Sequence, residues 1–204
     1  EGPEMELWLS GFRGVEHPSV SGNVVFEAAL EDASGINLLP YPGAQLALYI
    51  DDTPVDVSEY FTYELGSATS GRIVYPLPEL QPGDHTLRLR ASDNVTNTSW
   101  REMTFHLTDN SSPVINQFFV YPTPASTVMS FNWIQSTDGP VSISIYSVSG
   151  RRITTLGNLP GRTGYNQHHW NLHDEDGDMV ASGSYIYVVS AGDSEETGVA
   201  VVAR

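Results

Sequence analysis

The chain contains no cysteine and no lysine. Its 204 residues include nine basic residues, all arginine, against 25 acidic ones, and the formal net charge at pH 7 is -16. Without cysteine there is no disulfide framework, no thiolate metal ligand and no cysteine nucleophile within these residues. Such an acidic chain is a poor partner for nucleic acid or for an anionic membrane surface. Its stability must therefore come from packing.

Long apolar runs are also absent. No stretch approaches the roughly 18 consecutive apolar residues that a membrane-spanning helix needs, so we expect no membrane insertion. The first residues, Glu1-Gly-Pro-Glu, lack the basic and then apolar layout of a signal peptide. Because the sequence does not begin with methionine, we interpret it as a piece of a longer protein.

Turn-forming residues are plentiful. The chain has 18 glycines and 13 prolines, and its aliphatic and aromatic residues fall in short bursts between them, which leaves little room for long helices and favours many short strands. A length of 204 residues suits two domains of about 100 residues each, the size of one β-sandwich. The composition therefore predicts an all-β chain of two tandem sandwiches.

Alternating apolar and polar residues predict strands in both halves. In the first half, Leu87 and Leu89 share one face, and Phe105 and Leu107 bracket a solvent-facing His106. In the second half, the alternation places Met129, Phe131 and Trp133 on one face. Between the halves, the polar stretch 108–113 with its proline predicts a connection, so we expect domains 1–112 and 113–204. Further strands are predicted at 5–9, 24–30, 45–50, 72–77, 141–147, 151–156, 184–190 and 198–203.

Five short motifs in the second half occur in order. The motifs are Val120-Tyr-Pro-Thr-Pro, Ile145-Tyr-Ser-Val-Ser-Gly-Arg-Arg-Ile, His169-Trp-Asn, Asp176-Gly-Asp and Ala181-Ser-Gly-Ser-Tyr-Ile-Tyr. They are similar to those of the FlgD-like immunoglobulin family, whose members serve as C-terminal sorting domains of the type IX secretion system. The resemblance implies an immunoglobulin-like fold for residues 113–204 and the outer-membrane machinery of that system as partner.

The first half carries a second resemblance. The segments that carry it are Leu30-Glu-Asp-Ala-Ser-Gly-Ile-Asn, Tyr49-Ile-Asp-Asp and Gly71-Arg-Ile-Val-Tyr-Pro through His85-Thr-Leu-Arg-Leu-Arg-Ala. They resemble the domain that follows the catalytic part of gingipain-type (family C25) cysteine peptidases, in particular the type IX sortase. The family's catalytic cysteine and histidine would lie upstream, so no catalytic residue is carried onto this chain.

The last apolar segment is the candidate partner-binding site. An apolar edge strand presents unpaired backbone groups, with which a partner can pair by strand addition. We therefore predict recognition through Gly198, Val199, Ala200, Val201, Val202 and Ala203.

Three candidate metal sites stand beside plainer interpretations. Asp174, Asp176 and Asp178 surround a glycine and begin an oxygen-rich loop that could bind calcium, or they form a solvated hairpin; loop residues Asp32, Asp51, Asp52, Asp93 and Asn94 offer a similar choice. His168, His169 and His173 flank Trp170, but neighbours in a strand point to opposite faces. We therefore expect Trp170 in the core with the histidines at the surface.

A carbohydrate-binding module is the alternative function. Aromatic side chains in the first half could form a stacking platform, although sandwiches also bury such residues. Those residues are Tyr41, Tyr60, Phe61, Tyr63 and Tyr75. A FlgD-like structural scaffold is a further alternative.

Signatures of catalysis are missing from the sequence, which has no glycine-rich phosphate loop, serine elbow or zinc-binding helix motif. We therefore predict a non-enzymatic module without a cofactor, calcium excepted, at the surface of a bacterium or outside it. Its expected partners are the secretion machinery and the upstream peptidase domain of the same chain.

Overall fold

A computed structural model describes residues 1–39, 46–108 and 112–204. The chain divides into two compact units, Glu1–Asp109 and Asn110–Arg204, here called the first and second domain. Both consist of β-sheets, and the one helical element among the described residues is the three-residue 3-10 turn Ser58–Tyr60. The all-β prediction of two tandem immunoglobulin-like sandwiches is confirmed. No helix among the described residues is long and apolar enough to cross a membrane.

The first domain pairs a four-stranded sheet, ordered β1-β3-β7-β6, with a five-stranded sheet, ordered β2-β9-β8-β4-β5. All pairings are antiparallel except the short parallel pair β2 and β9. The strands are β1 (Glu4–Leu9), β2 (Ser19–Val20), β3 (Val25–Glu31), β4 (Ala47–Ile50), β5 (Thr53–Asp56), β6 (Phe61–Tyr63), β7 (Ser70–Pro76), β8 (Gly83–Ser92) and β9 (Thr98–Leu107).

The core of the first domain follows the predicted alternation. Leu87 and Leu89 of β8 are buried, as are Phe105 and Leu107 of β9, while His106 between them is exposed, as predicted. Strands β5 and β6 were not predicted, because they are short and mostly exposed and β5 contains Pro54. Residues 40–45 lie outside the described part of the chain. The strand predicted at 45–50 can therefore be compared with the structure only from residue 46 onward, where β4 covers Ala47–Ile50.

The second domain packs a three-stranded sheet, ordered β10-β11-β14, with a four-stranded sheet, ordered β13-β12-β15-β16. Its buried side chains include Phe131, Trp133, Ile143, Ile145 and Trp170, so the predicted inward face of β11 is confirmed. The strands are β10 (Ile115–Tyr121), β11 (Met129–Gln135), β12 (Gly139–Ser147), β13 (Arg152–Gly161), β14 (Gly164–Trp170), β15 (Gly183–Ala191) and β16 (Ser194–Val202).

Strand β11 differs from the alternation that the sequence predicts, because all seven of its residues are buried. Asn132 is only 2 % exposed although it points away from the core. Side chains of the flanking strand β14, Tyr165 and Gln167, bond to its amide. A strand in the middle of a sheet can therefore be buried on its outer face by side chains of its neighbours.

Candidate interaction site at the last strand

The predicted partner-binding residues form the second half of a longer strand. Strand β16 pairs with β15 from Ala191↔Ser194 to Gly183↔Val202, so the two strands form a hairpin with Gly192 and Asp193 in its turn. Ala203 follows the end of the strand. Because β16 is the outer strand of its sheet, one of its edges faces away from β15.

Side chains along β16 alternate between the core and solvent. Ala200 and Val202 are buried, whereas Val199 is 58 % exposed. Gly198 lies opposite Tyr187, and a Cβ added there would lie 2.1 Å from the tyrosine hydroxyl. Burial of Tyr187 and the charge of Glu196 raise the pKa of this hydroxyl. The tyrosine ring therefore packs directly against Gly198, and any side chain at position 198 would clash with it.

The outer edge of β16 is bonded at its C-terminal end. The N–H of Ala125 donates to the carbonyl of Val201 at 2.8 Å, and the N–H of Ala203 donates to the carbonyl of Ala125 at 2.9 Å. The N–H of Val201 donates to Thr123 Oγ1 at 3.2 Å. Residues 123–125 thus bind the edge beside Val201 and Ala203, and we call them the edge clamp.

Over the rest of its length, the same edge has no backbone hydrogen bond to a described residue; we call residues 195–199 its open half. Residues that alternate with Val201 point their peptide groups the same way, so those of Glu195, Thr197 and Val199 face outward. No described residue bonds to these outward peptide groups. Strand addition at 195–199 breaks no backbone hydrogen bond among the described residues, whereas pairing along 198–203 requires displacement of the edge clamp. At the start of this segment the N–H of Ile115 donates to Ser194 Oγ at 3.2 Å. Glu195 and Glu196, both exposed, place charge at the open half, a common protection against unspecific edge pairing.

The three candidate calcium ligands lie in the turn after β14. The carboxylate of Asp174 accepts the backbone N–H of Asp176 at 3.1 Å and of Asp178 at 2.9 Å. Asp176 and Asp178 are exposed. In the described ranges no group of three or more His, Cys, Asp or Glu side chains is placed to hold a metal ion. The geometry is that of a hydrogen-bonded turn, and calcium binding here stays a prediction.

The histidines beside Trp170 occupy different environments. Trp170 is 1 % exposed, and its Nε1 donates to the carbonyl of His173 at 2.9 Å. His169 is exposed and its Nδ1 lies 2.7 Å from Ser130 Oγ. His168 is half-buried, and this burial together with the charge of His169 lowers its pKa. Trp170 therefore belongs to the core, as expected.

Loop carboxylates of the first domain make hydrogen bonds within the protein. Asp93 is 1 % exposed, and it accepts the N–H groups of Val95 and Asn97 at 2.9 and 2.8 Å and the Asn97 amide at 2.7 Å. Burial raises the pKa of Asp93, but these hydrogen bonds outweigh it and hold the pKa below its ordinary value.

The other loop residues proposed as calcium ligands also have protein partners. Asp32 accepts the N–H of Ser34, Asp52 pairs with Arg88, and Asn94 donates to the carbonyl of Ser34. Asp51 lies 2.6 Å from His85 Nδ1. Calcium at these loops remains a prediction.

The aromatic residues proposed for sugar stacking in the first domain pack edge to face. Tyr60 meets Tyr75 at a centroid distance of 4.8 Å and an angle of 90°, and Tyr63 meets Phe61 at 5.0 Å and 86°. Phe61 is buried, and the Tyr63 hydroxyl donates to the carbonyl of Ile36. Tyr41 lies outside the described residues. Their rings therefore do not share one plane.

The edge clamp was not predicted from the sequence. It follows Pro122, contains Pro124 and precedes Ser126 and Thr127, a pattern typical of a loop. A single parallel bridge, Ala125↔Val202, leaves no periodic signal. The complete burial of Ala125 could not be read from its neighbours.

Sheet order, antiparallel pairing and paired layers define the class: the chain consists of tandem immunoglobulin-like β-sandwich domains. No protein-family model matches the chain, and no curated protein matches it.

Among solved structures, the chain is similar to dimeric latent PorU from Porphyromonas gingivalis. The two are 25% identical, with a TM-score of 0.50, over 99% of this chain and 20% of the PorU chain. This chain thus spans about one fifth of the length of that protein. The likeness extends over both domains, in the order in which they occur here.

Two weaker likenesses concern the fold alone. PorZ, described as an essential bacterial surface component of the type-IX secretion system of P. gingivalis, is 19% identical over 57% of this chain and 15% of its own, with a TM-score of 0.32. The N-terminal Ig1-2 module of the Drosophila receptor protein tyrosine phosphatase DLAR is 14% identical over 99% of this chain and 98% of its own, with a TM-score of 0.34.

Proposed function

We propose that this chain is a non-catalytic module of a larger secreted or surface protein that depends on the type IX secretion system. The second domain, FlgD-like in its motifs, acts as the sorting domain recognised by the outer-membrane machinery. The first domain acts as a spacer between it and an upstream C25-type peptidase. The observation that carries this proposal is the likeness to PorU along 99% of the chain. The motifs that resemble type IX sorting domains support it independently.

The open half of the β16 edge is the feature through which recognition would act. Its outward peptide groups at Thr197 and Val199 belong to the last strand, near the C-terminal end of the sequence. A partner strand that pairs there gains main-chain hydrogen bonds, while the exposed Val199 offers an apolar contact. The proposal therefore centres on residues 195–199 and requires no opening of the edge clamp.

The test is export of a reporter. Residues 1–204 are fused to the C-terminus of a periplasmic fluorescent protein and expressed in a host that carries the type IX system and in a matched host that lacks its translocation pore. We expect surface delivery only in the first host. Equal delivery in both hosts, or retention in the periplasm of both, contradicts the proposed function.

One position separates recognition by strand addition from recognition by other contacts. Val199→Pro removes an outward N–H without removing a bond to β15, and proline is tolerated on edge strands. Val199→Thr keeps the N–H and the β-branched shape, so it is the matched control. We expect delivery to fail for V199P and to continue for V199T, with both variants folded by circular dichroism. Normal delivery of V199P contradicts strand addition at this position while leaving export itself intact.

A further inference from the structure

The outer face of the three-stranded sheet in the second domain carries a row of aromatic and amide side chains. Register places Phe119 and Gln167 beside Asn132, Tyr121 and His169 beside Ser130, and Tyr165 beside Ile134. We call this set the aromatic face: Gln117, Phe119, Tyr121, Ser130, Asn132, Ile134, Tyr165, Gln167 and His169.

The aromatic face contains no Asp, Glu, Lys or Arg among its nine positions, all of which the structure describes. The chain as a whole carries 25 acidic residues and a net charge of -16. A patch without charge on such a protein does not select an ionic ligand. Nucleic acid and anionic lipid both require cationic side chains, so this face fits neither.

Three rings on this face are open to solvent. Phe119 is 43 % exposed, Tyr165 58 % and Tyr121 70 %. Phe119 and Tyr121 are two residues apart on one strand, about 7 Å from each other. Tyr165 is two strands away, about 10 Å across the strands, and its register opposite Ile134 offsets it along the strands by a further two residues from Phe119 and four from Tyr121. The rings therefore span an area larger than a single side-chain contact.

A buried amide holds one of these rings in place. Asn132 is 2 % exposed, and its Oδ1 accepts the Tyr165 hydroxyl at 2.7 Å and the Gln167 amide at 2.9 Å. Its Nδ2 donates to the carbonyls of Ser130 at 3.1 Å and Phe119 at 3.4 Å. Tyr165 starts opposite Ile134 and its hydroxyl reaches the next outward residue of β11. The ring therefore lies along the sheet, with its other side toward solvent.

Polar groups alternate with the rings. The Nδ1 of His169 lies 2.7 Å from Ser130 Oγ, which turns the far nitrogen of this exposed imidazole outward. Gln167 is exposed and uses its Nε2 for Asn132, so its carbonyl oxygen is available as an acceptor. The one aliphatic side chain, Ile134, is 8 % exposed. The exposed apolar surface of the face is thus almost entirely aromatic.

We propose that the aromatic face binds a neutral carbohydrate chain. The Tyr165 ring, anchored by its hydroxyl, can stack on the C–H face of a sugar ring, and the exposed rings of Phe119 and Tyr121 offer further stacking contacts. The interleaved amide and imidazole groups exchange hydrogen bonds with sugar hydroxyls. Preorganisation by Asn132 lowers the entropy lost on binding. Aromatic side chains without neighbouring charges are also common at protein interfaces, so binding to a second copy of the chain is the competing outcome that the test below separates. This site is separate from the β16 edge, so it is independent of the proposed role in export.

The test uses the whole chain in affinity electrophoresis through gels that contain a neutral polysaccharide: mixed-linkage β-glucan, galactomannan or arabinoxylan. A neutral-oligosaccharide array extends the set. We expect retardation by at least one polysaccharide, about tenfold weaker binding for Phe119→Ala and for Tyr165→Ala, and a smaller loss for Tyr165→Phe, which keeps the ring but loses its hydroxyl anchor. Trp100→Ala, at an equally exposed ring in the first domain, is the matched control and should bind normally.

Several results would overturn the proposal. One is the absence of binding to every gel and every array sugar. Another is binding that survives in the double variant Phe119→Ala/Tyr165→Ala, or that is lost in Trp100→Ala. Concentration-dependent dimers abolished by the double variant would assign the face to a second copy of the chain instead. Thermal unfolding of each variant separates loss of binding from loss of fold.

Discussion

The two domains hold their surface aromatic rings by different means. In the first domain, the Arg88 guanidinium lies 5.4 Å from the centre of the Tyr49 ring and 5.2 Å from that of Trp100. In the second domain, the neutral amide of Asn132 bonds to the Tyr165 hydroxyl, and no cation lies over a ring in the part of that domain that the structure describes. Exposure alone therefore does not distinguish a ring already in contact with a guanidinium from a ring available to a ligand.

The same preference for neutral amides extends into the core of the second domain. Gln135 is completely buried; its Oε1 accepts the Trp133 Nε1 at 2.7 Å, and its Nε2 donates to the carbonyl of Thr137 at 2.7 Å. A buried polar group that loses its partner costs about 1–3 kcal/mol. The second domain should therefore respond sharply to changes beside its amides. Apart from the pair between Asp51 and the largely buried His85, the ion pairs of the first domain lie at the surface and contribute less.

The largest contrast is expected between two tryptophans. Trp133→Ala removes a buried ring and leaves Gln135 without its donor, so we expect the second domain to lose about 3–5 kcal/mol of unfolding free energy. Trp100→Ala removes a half-exposed ring under Arg88 and Arg90, and we expect a loss of about 1 kcal/mol or less in the first domain. Hydrogen exchange in increasing urea, resolved by domain, measures both. Similar losses for the two variants would contradict the comparison.

A pair of glycines on one strand tests the buried amide more directly. A Cβ at Gly161 would lie 2.2 Å from Gln135 Oε1, whereas a Cβ at Gly157 meets nothing within 4 Å. Gly161→Ala must therefore displace Gln135 from Trp133, and we expect a loss of about 1–3 kcal/mol. Gly157→Ala on the same strand β13 should be neutral or slightly stabilising. Chemical denaturation of both variants gives the difference, and equal stability would mean that Gln135 can move without cost.

Periodicity predicted the inward faces well, because burial against a second sheet repeats every two residues. Phe131 and Trp133 in the second domain, and Leu87 and Leu89 in the first, lie where alternation places them. The same rule wrongly implies a solvated outer face for β11. Asn132 and Ile134 are covered by side chains from β10 and β14, and which strands flank β11 depends on topology that one sequence does not reveal.

The candidate site was predictable in part. Apolar residues near the end of the chain indicated the last strand, and β16 contains residues 198–202 of the predicted segment. The edge clamp depends on contacts between Ala125 and Val201, 76 positions apart in the sequence, and no local pattern links them. The aromatic face was missed for the same reason, since its residues come from three strands and meet only through sheet register.

A smaller effect should follow from removing one hydroxyl on the aromatic face. Tyr165→Phe leaves Asn132 Oδ1 with the Gln167 amide alone, so we expect a loss of about 1 kcal/mol in the second domain. Tyr121→Phe, at the most exposed of the three rings, should change stability by less than about 0.5 kcal/mol. Urea denaturation distinguishes the two variants. An equal, negligible effect would show that the Asn132 bond does not fix the Tyr165 ring.

The smallest effects concern pH, and the two domains should respond with opposite sign. Burial disfavours protonation of His85, but hydrogen bonds to Asp51 and to the Gln81 carbonyl, with the charges of Asp51 and Asp84, outweigh it and raise its pKa. This stabilisation is fully present below the unfolded pKa of about 6.5 and is lost as pH rises through the folded value. For His168, burial and the charge of His169 lower the pKa. Stability from His168 is therefore complete above about pH 6.5 and is lost as pH falls through its folded value.

Domain-resolved stability at pH 8, 6.5 and 5.5 tests this contrast. Between pH 8 and 6.5, the first domain should gain stability through His85, and His85→Gln should remove that gain. Between pH 6.5 and 5.5, the second domain should lose stability through His168, and His168→Gln should remove that loss. Each substitution serves as the control for the other domain, because the two residues belong to separate units. The stability of both domains could instead change in the same direction with pH, with neither substitution removing the pH dependence of its own domain. In that case these two histidines do not set the pH response. The contrast between the domains would then rest on their aromatic contacts alone.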